Sequence, residues 1–364
     1  MAPNVLIVSA GMGAGHHAVS AELARRLTRA GAACTVVDIL ALAGPAGTRL
    51  RHTYRALLDH APWAYGGAMA FWARWPAPME ALTARGARTF DTALAAAVEA
   101  GRPDVVVSTF NLASQSLGRL SARGAVHCPL ATLVIDAGPH PYWVSRAVDR
   151  HLVPSALTAA TLERYGARGL LVVSPLVRPR FAAAPSRAAA RRRLGLPELG
   201  RVVLFTGGSW GVGGLHRSLD AIAGIDALTA VALCGRDDRL RARLAATHRV
   251  RAVGWTDAMP SYLAAADVVI DNAGGQTCWE ALACGTPVVL FRPLAGHGVI
   301  NARTLAALGW VRFARTPGEL RAAVFGEPAV VRAASGPFDG ADPVTAVLDL
   351  VGCRHHAGRG DVRP

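Results

Sequence analysis

Two adjacent histidines close a glycine-rich turn near the start of the chain. In Ser9 to Leu23, SAGMGAGHHAVSAEL, three glycines (Gly11, Gly13, Gly15) precede His16 and His17, and the apolar run Val5–Val8 comes before them. An imidazole at a helix N-terminus feels a positive dipole that favours its neutral, proton-accepting form. General-base chemistry requires that state, so His16 is the candidate base and His17 reads as structural. A second reading stays open here, in which either ring only caps the helix or packs on a strand end. The glycines permit close backbone approach, so amides at the helix start can face a ligand. The stretch is neither a Walker loop, because no Gly-Lys-Ser/Thr follows, nor a dinucleotide fingerprint, because His16 stands where the third glycine belongs.

Two further glycine clusters lie in the second half. TGGSWGVGG, Thr206 to Gly214, follows the apolar run Val202–Phe205 and suits a diphosphate, with Gly207, Gly208 and Ser209 as donors. The alternative is an ordinary strand-to-helix turn. AGGQT, Ala273 to Thr277, follows Asp267–Ile270 and opens a helix whose N-terminus, Gly274, Gly275, Gln276 and Thr277, can face phosphate. Glu280, one turn further, can accept both hydroxyls of a ribose. Its alternative is a structural ion pair.

These residues need elements to hold them. Short β-rich runs at Val5–Val8, Thr35–Ile39, Asp104–Ser108, Leu130–Ile135 and Arg150–Val153 alternate with segments of helical period, the pattern of a parallel sheet wrapped by helices. The texture turns to proline and arginine around Ser174–Pro197, which puts a linker near Pro175–Pro185. A second series follows at Val202–Phe205, Ala230–Leu233, Arg249–Val253, Asp267–Ile270 and Val288–Phe291. The expected class is α/β, with two Rossmann-like doubly wound domains, 1–180 and 181–353, facing across a cleft where the strands' carboxyl ends point, and a flexible tail at 354–364.

Composition agrees with two packed domains: 364 residues, of which 52% are hydrophobic and 18% charged. The formal charge is +14, and all 39 basic residues are arginine, so the field favours anionic partners such as phosphates and acidic lipid surfaces. No helix-turn-helix, zinc-finger or RNA-binding aromatic signature accompanies that charge, which argues against nucleic acid. The six cysteines lack paired or metal-ligand spacing and read as free thiols of a reducing cytoplasm. A strand begins within a few residues of Met1 without a basic-then-apolar leader, and no apolar run reaches the length of a spanning helix. Any membrane contact is therefore expected from one side.

The stretch Arg49–Met79 fits such a contact, since Trp63, Trp72, Trp75, Tyr54, Tyr65 and Phe71 lie among Arg49, Arg51, Arg55 and Arg74. Aromatic rings and snorkelling arginines suit a lipid headgroup layer. The competing reading packs the aromatic face onto the first domain, and a division between the two is also compatible with the pattern.

The order of the motifs resembles the nucleotide-sugar site of GT-B glycosyltransferases: GGxxG, then GW before a short helix, then AGGxTxxEAxxxGxPxV and a downstream Asn. VLIVSAGMGAGHHAVSAEL, PDVVVST, VIDAGPHPYW and SPLVRPRF are similar to the monogalactosyldiacylglycerol synthase and processive diacylglycerol glucosyltransferase group, over about Pro3 to Trp310. The resemblance implies a GT-B fold and an inverting, metal-independent transfer of a hexosyl group from a UDP-sugar to a lipid hydroxyl, diacylglycerol or a glycolipid, with no cofactor. The expected setting is the cytoplasmic face of the cell membrane, with an anionic surface as partner.

Carried over by residue, the resemblance makes His16 the base, with Asp136 orienting or charge-stabilising it. Gly13 and Gly15 belong to the donor cleft, Ser209 and Arg178 face the diphosphate, Thr277 the phosphate and Glu280 the ribose. The backbone at Trp255 and Thr256 would read the uracil, and His297 and Asn301 would contact the sugar. The acceptor side would hold Trp63, Tyr65, Phe71, Trp72, Trp75, His140 and Trp143. Two departures stand out: His297-Gly298 replaces a Gln-Glu or Gln-Gln pair, and Ser108-Thr109-Phe110-Asn111 replaces Ser-Thr-His-Pro. The first leaves the sugar open, and the second removes a polar group near the acceptor. Two other functions share these features: a transferase acting on a hydrophobic natural product or polyprenyl-linked sugar, and a non-catalytic nucleotide-sugar-binding protein.

Overall fold

A computed structural model of the chain describes residues 2–75, 87–223, 225, 228–247, 250–326 and 336–357. Its framework is two six-stranded, wholly parallel sheets. The front lobe holds β1 (Asn4–Ser9), β2 (Ala33–Asp38), β3 (Val105–Ser108), β4 (Leu130–Leu133), β5 (Arg150–Val153) and β6 (Leu170–Val172). The rear lobe holds β7 (Arg201–Thr206), β8 (Leu228–Leu233), β9 (Val250–Val253), β10 (Val268–Asp271), β11 (Val288–Phe291) and β12 (Arg312–Ala314). The central strands are near-continuous Val, Ile and Leu runs because helices cover both of their faces. Val5, Ile7, Val105 and Val107 pack on one side of the front sheet, and Leu6, Val8 and Val106 on the other.

Strand order fixes where a ligand can bind. The front sheet runs β2-β1-β3-β4-β5-β6 and the rear sheet β12-β11-β10-β7-β8-β9. Direction therefore reverses between β1 and β3 in front and between β7 and β10 behind. Beyond the carboxyl ends of strands at such a reversal, the outgoing helices diverge and leave a crevice. The histidine-bearing turn leaves β1, Thr109 leaves β3, and the two other glycine turns leave β7 and β10.

All ten expected strands form, with ends shifted by a residue or two; Arg249 lies outside the described residues. Two more, β6 and β12, complete the sheets. Each is a three-residue edge strand, too short to show a period. The larger difference is at the C-terminal end. The division at 180/181 puts everything to 353 in the rear domain and 354–364 in a tail, yet Pro343–Ala357 is a helix packed on the front lobe. Val344, Ala346, Val347 and Leu350 join the cluster around Val5 and Leu23, and Arg150 Nη1 donates to the Ala346 carbonyl. Residues 358–364 lie outside the described residues.

Two strands of chain thus connect the lobes. The Ser174 hydroxyl ties them together, within hydrogen-bond reach of the Phe338 and Gly340 carbonyls at 2.8 Å each, while Val173 bridges Ala341. Leu350→Ala would remove a side chain from the front core at a cost of about 2–5 kcal/mol. Calorimetric melting should show that loss in the front lobe's transition, with the rear lobe's transition unmoved.

Candidate active site

One cavity of about 700 Å³ lies between the lobes, and all three glycine turns border it. The helix carrying His16, Ala14–Arg29, begins at Gly13, whose φ of 100° favours glycine. Gly13 supplies no capping side chain, so the first amides of this helix rely on partners from outside it. One of them already bridges the lobes: the Ala14 N–H donates to Ser209 Oγ at 3.1 Å. Ser209, expected on a diphosphate, here accepts from the opposite lobe.

His16 Nδ1 lies 2.8 Å from the Thr109 carbonyl, which can only accept, so Nδ1 carries the hydrogen and Nε2 keeps its lone pair. Thr109 is itself fixed, its N–H donating to the Val8 carbonyl at 3.0 Å and its hydroxyl 2.8 Å from that of Ser20. Phe110 presses edge-on against the imidazole, with centroids 5.0 Å apart. Burial lowers the His16 pKa, against the opposing pull of the Thr109 carbonyl and the Asp136 charge. Burial, rather than the dipole alone, keeps the ring neutral. His17 turns away to Asp38, at 3.4 Å, and is exposed.

Asp136 does not orient His16 by a hydrogen bond. Its carboxylate accepts from Trp143 Nε1 in the front lobe and from Asn301 Nδ2 in the rear lobe, both at 3.0 Å, and reaches His16 only through its field. Two expectations change accordingly. Trp143 is fully buried and holds Asp136 rather than meeting a membrane. Asn301 has no exposed surface: its amide also reaches the Ala273 carbonyl at 3.3 Å and its oxygen accepts from the Gly138 N–H, so neither amide hydrogen remains for a sugar.

His140 is buried in the front-lobe wall of the cavity, its Nε2 3.2 Å from Asn111 Nδ2, while its Nδ1 has no hydrogen-bond partner. Burial pulls its pKa down. Across the cleft, His297 also lines the cavity, with Nδ1 3.2 Å from the Tyr65 hydroxyl.

The turn after β10 is shaped by Asp271, a residue the sequence reading passed over. One of its oxygens accepts from the Ala273 and Gly274 amides and the other from the Thr206 hydroxyl, which joins the two rear glycine turns. Its position at the end of the VVID strand was the available signal. Gly275, Gln276 and Thr277 border the cavity, but the Gln276 amide donates to the linker carbonyl of Leu176 at 3.0 Å. Glu280 is buried, with Arg178 Nη2 3.8 Å away. Burial pushes its carboxyl up to about 7, against the lowering influence of Arg178 and Arg180. Trp255 stands at the rim, half exposed, with the Arg236 guanidinium 4.4 Å from its ring centre, and the Thr256 hydroxyl caps the Ala258 amide.

The aromatic segment divides between core and surface; its residues 76–79 lie outside the described residues. In the helix Pro62–Arg74, Met69 is buried, Trp72 packs on the front core, and Tyr65 turns into the cleft. Trp63, Phe71 and Trp75 are 77%, 50% and 50% exposed, and Arg74 covers the Trp75 ring at 4.6 Å. No helix among the described residues is long and apolar enough to cross a membrane.

Two parallel-sheet lobes, each offering a glycine turn from its reversal point to a shared cleft, make this a GT-B fold. Residues 16–169 match the family model for monogalactosyldiacylglycerol (MGDG) synthase, and residues 202–314 that for the glycosyltransferase family 28 C-terminal domain. The chain is 28% identical over 238 residues to monogalactosyldiacylglycerol synthase 1 of Arabidopsis thaliana, covering 60% of this chain and 44% of the relative. It is 25% identical over 213 residues to a processive diacylglycerol beta-glucosyltransferase of Bacillus pumilus, covering 56% and 55%. The chain spans about half the length of the relatives it matches. Among solved structures, the spinosyn rhamnosyltransferase SpnG aligns over 96% of this chain and 99% of its own with a TM-score of 0.63 at 16% identity. Anabaena HepE aligns over 97% and 99% with a TM-score of 0.53 at 14% identity, which shares the fold.

The Glu280 environment is measurable directly. A carbon-13 carboxyl titration should give a midpoint near pH 7, and Arg178→Ala should move it higher, because the guanidinium favours the ionised form.

Proposed function

We propose that this chain is a UDP-sugar-dependent hexosyltransferase acting on a lipid hydroxyl, by direct displacement with inversion at the anomeric carbon. The observation that carries this reading is the free Nε2 of His16 inside the cleft, opposite the glycine turns and Glu280 of the rear lobe. The acceptor oxygen gives its proton to Nε2 as it bonds to the anomeric carbon, and the bond from that carbon to the diphosphate breaks. Asp136 favours the imidazolium that forms, without touching it. The growing diphosphate charge meets Arg178 and the amides of Gly208 and Gly275 to Thr277, preorganised donors that do this work without a metal. Glu280, when ionised, accepts from the ribose hydroxyls, and the backbone at Trp255 and Thr256 holds the uracil.

The lipid acceptor is supported by the front half of the cavity, where Leu50, Leu58, Met69, Phe90 and Leu112 give an apolar lining next to His16. The relatives named above as synthases of galactosyl- and glucosyl-diacylglycerol support diacylglycerol as its class, and the HepE structure, solved with UDP-glucose, supports the donor. Trp63, Phe71 and Trp75, with Arg74 beside them, would seat the helix Pro62–Arg74 on the anionic inner face of the cell membrane as a peripheral contact.

Three outcomes follow. His16→Ala should lower kcat by about 10²- to 10⁴-fold with unchanged melting temperature; an undiminished rate in a UDP-hexose and diacylglycerol assay would remove the base assignment. Because the His16 pKa is lowered, kcat at saturating UDP-hexose should stay level through pH 6.5 and fall only as pH drops through the lower folded value, a limb absent from the His16→Ala residual rate. Serine at positions 63, 71 and 75 together should weaken cosedimentation with phosphatidylglycerol vesicles more than about tenfold, since each buried ring contributes roughly 1.5–3 kcal/mol.

A further inference from the structure

The helix Pro62–Arg74, with its exposed aromatic face, also touches the donor side. The rear-lobe loop before the helix His297–Ala307 lies directly against it. Gly296 has φ +72°, and a Cβ there would stand 2.8 Å from both Tyr65 Cε1 and Met69 Cγ; a Cβ on Gly66 would stand 3.3 Å from that of Ala295. Loop and helix therefore meet with no space for a side chain at Gly296. At this contact the Tyr65 hydroxyl is 3.2 Å from His297 Nδ1, with the rings edge to face at 5.9 Å.

The chain of contacts continues in the other direction. Tyr65 is hydrogen-bonded to Tyr54 on the neighbouring helix Pro45–His60, and their rings meet edge to face at 5.4 Å. Tyr54 in turn stands 6.2 Å from Trp210, within the glycine turn after β7, and Arg55 approaches the same indole at 5.9 Å. Two front-lobe helices thus clasp two rear-lobe turns at once: the one expected to hold diphosphate and the one expected to hold the sugar.

We infer that Tyr65 is a positioning residue for the transferred sugar: its hydroxyl fixes the His297 ring so that Nε2–H is presented to a hydroxyl of the bound hexosyl group. The inference rests on reading the cleft as a UDP-sugar site. The proton count allows it. Both phenols stay protonated at neutral pH, because burial pushes Tyr54 up to about 12 and Tyr65 higher still, and burial keeps His297 neutral against the Asp136 charge. In the inferred arrangement Tyr65 donates its proton to Nδ1, 3.2 Å away. A neutral imidazole accepting at Nδ1 must carry its hydrogen on Nε2. Tyr65 therefore belongs to the donor half of the site, although its segment reads as acceptor-binding. A residue on the helix that bears the exposed rings thereby orders a group at the sugar.

Calorimetric titration of UDP, UDP-glucose, UDP-galactose and UDP-N-acetylglucosamine onto wild type, Tyr65→Phe, His297→Ala and the double variant tests this. Tyr65→Phe keeps the ring and its packing. It should weaken the UDP-hexose preferred by wild type about tenfold while leaving UDP affinity unchanged, and the double variant should bind no worse than His297→Ala alone. Nitrogen-15 imidazole spectra, with His297→Ala for assignment, should show the hydrogen on Nε2. An unchanged UDP-hexose affinity in Tyr65→Phe, equal losses for UDP and UDP-hexose, or a hydrogen on Nδ1 would each overturn the assignment while leaving the donor reading standing. Failure of wild type to bind UDP and all three UDP-hexoses would instead remove the donor reading, and this inference with it.

Discussion

The carboxylate of Asp136 receives a hydrogen bond from each lobe, and the cleft takes its form around that pair. Trp143 Nε1 fixes it to the front lobe and Asn301 Nδ2 to the rear, both at 3.0 Å. Hydrogen bonds to an ionised group are among the stronger ones, about 1.5–3 kcal/mol each, so a partly buried charge held from both sides is a firm joint. The Gly138 amide, two residues on, donates to the oxygen of the same Asn301, and a Cβ on Gly138 would overlap the Ile300 backbone. The lobes meet here backbone to backbone.

That joint places one negative charge among three imidazoles. His16, His140 and His297 all feel Asp136, and burial lowers the pKa of each. The balance leaves neutral rings, two of which have their hydrogens assigned by a neighbour: a carbonyl for His16 and an amide for His140. A neutral imidazole can present either a lone pair or an N–H to the cavity, and the neighbour decides which. In this cleft the surrounding shell sets the chemistry as much as the histidines do.

Much of the fold was legible because buried parallel strands leave an unmistakable trace, as in VLIV, VVLF and VVLF again at Val288–Phe291. The glycine turns were legible for the related reason that they follow those strands directly. What escaped was information carried by distant partners. The edge strands β6 and β12 take their pairing from a neighbour rather than from a period of their own. Asn301 and Trp143 have the residue types of ligand contacts, and only the approach of Asp136 across about 165 and 7 residues of sequence shows that they hold the lobes instead. Ser209 is similar, its hydroxyl engaged by Ala14 from 195 residues away. The aromatic segment divided as its pattern allowed, since a short helix with rings on every side must expose some of them.

The helix Pro343–Ala357 sets an order of assembly for the chain. Four of its apolar side chains belong to a core whose other members lie between Val5 and Leu176, so that core cannot finish packing until this later helix has been made. The rear lobe is one continuous stretch and waits for nothing. During synthesis the second lobe is thus free to mature ahead of the first, and the front-lobe strands stay without their full cover for the time it takes to make the rear lobe.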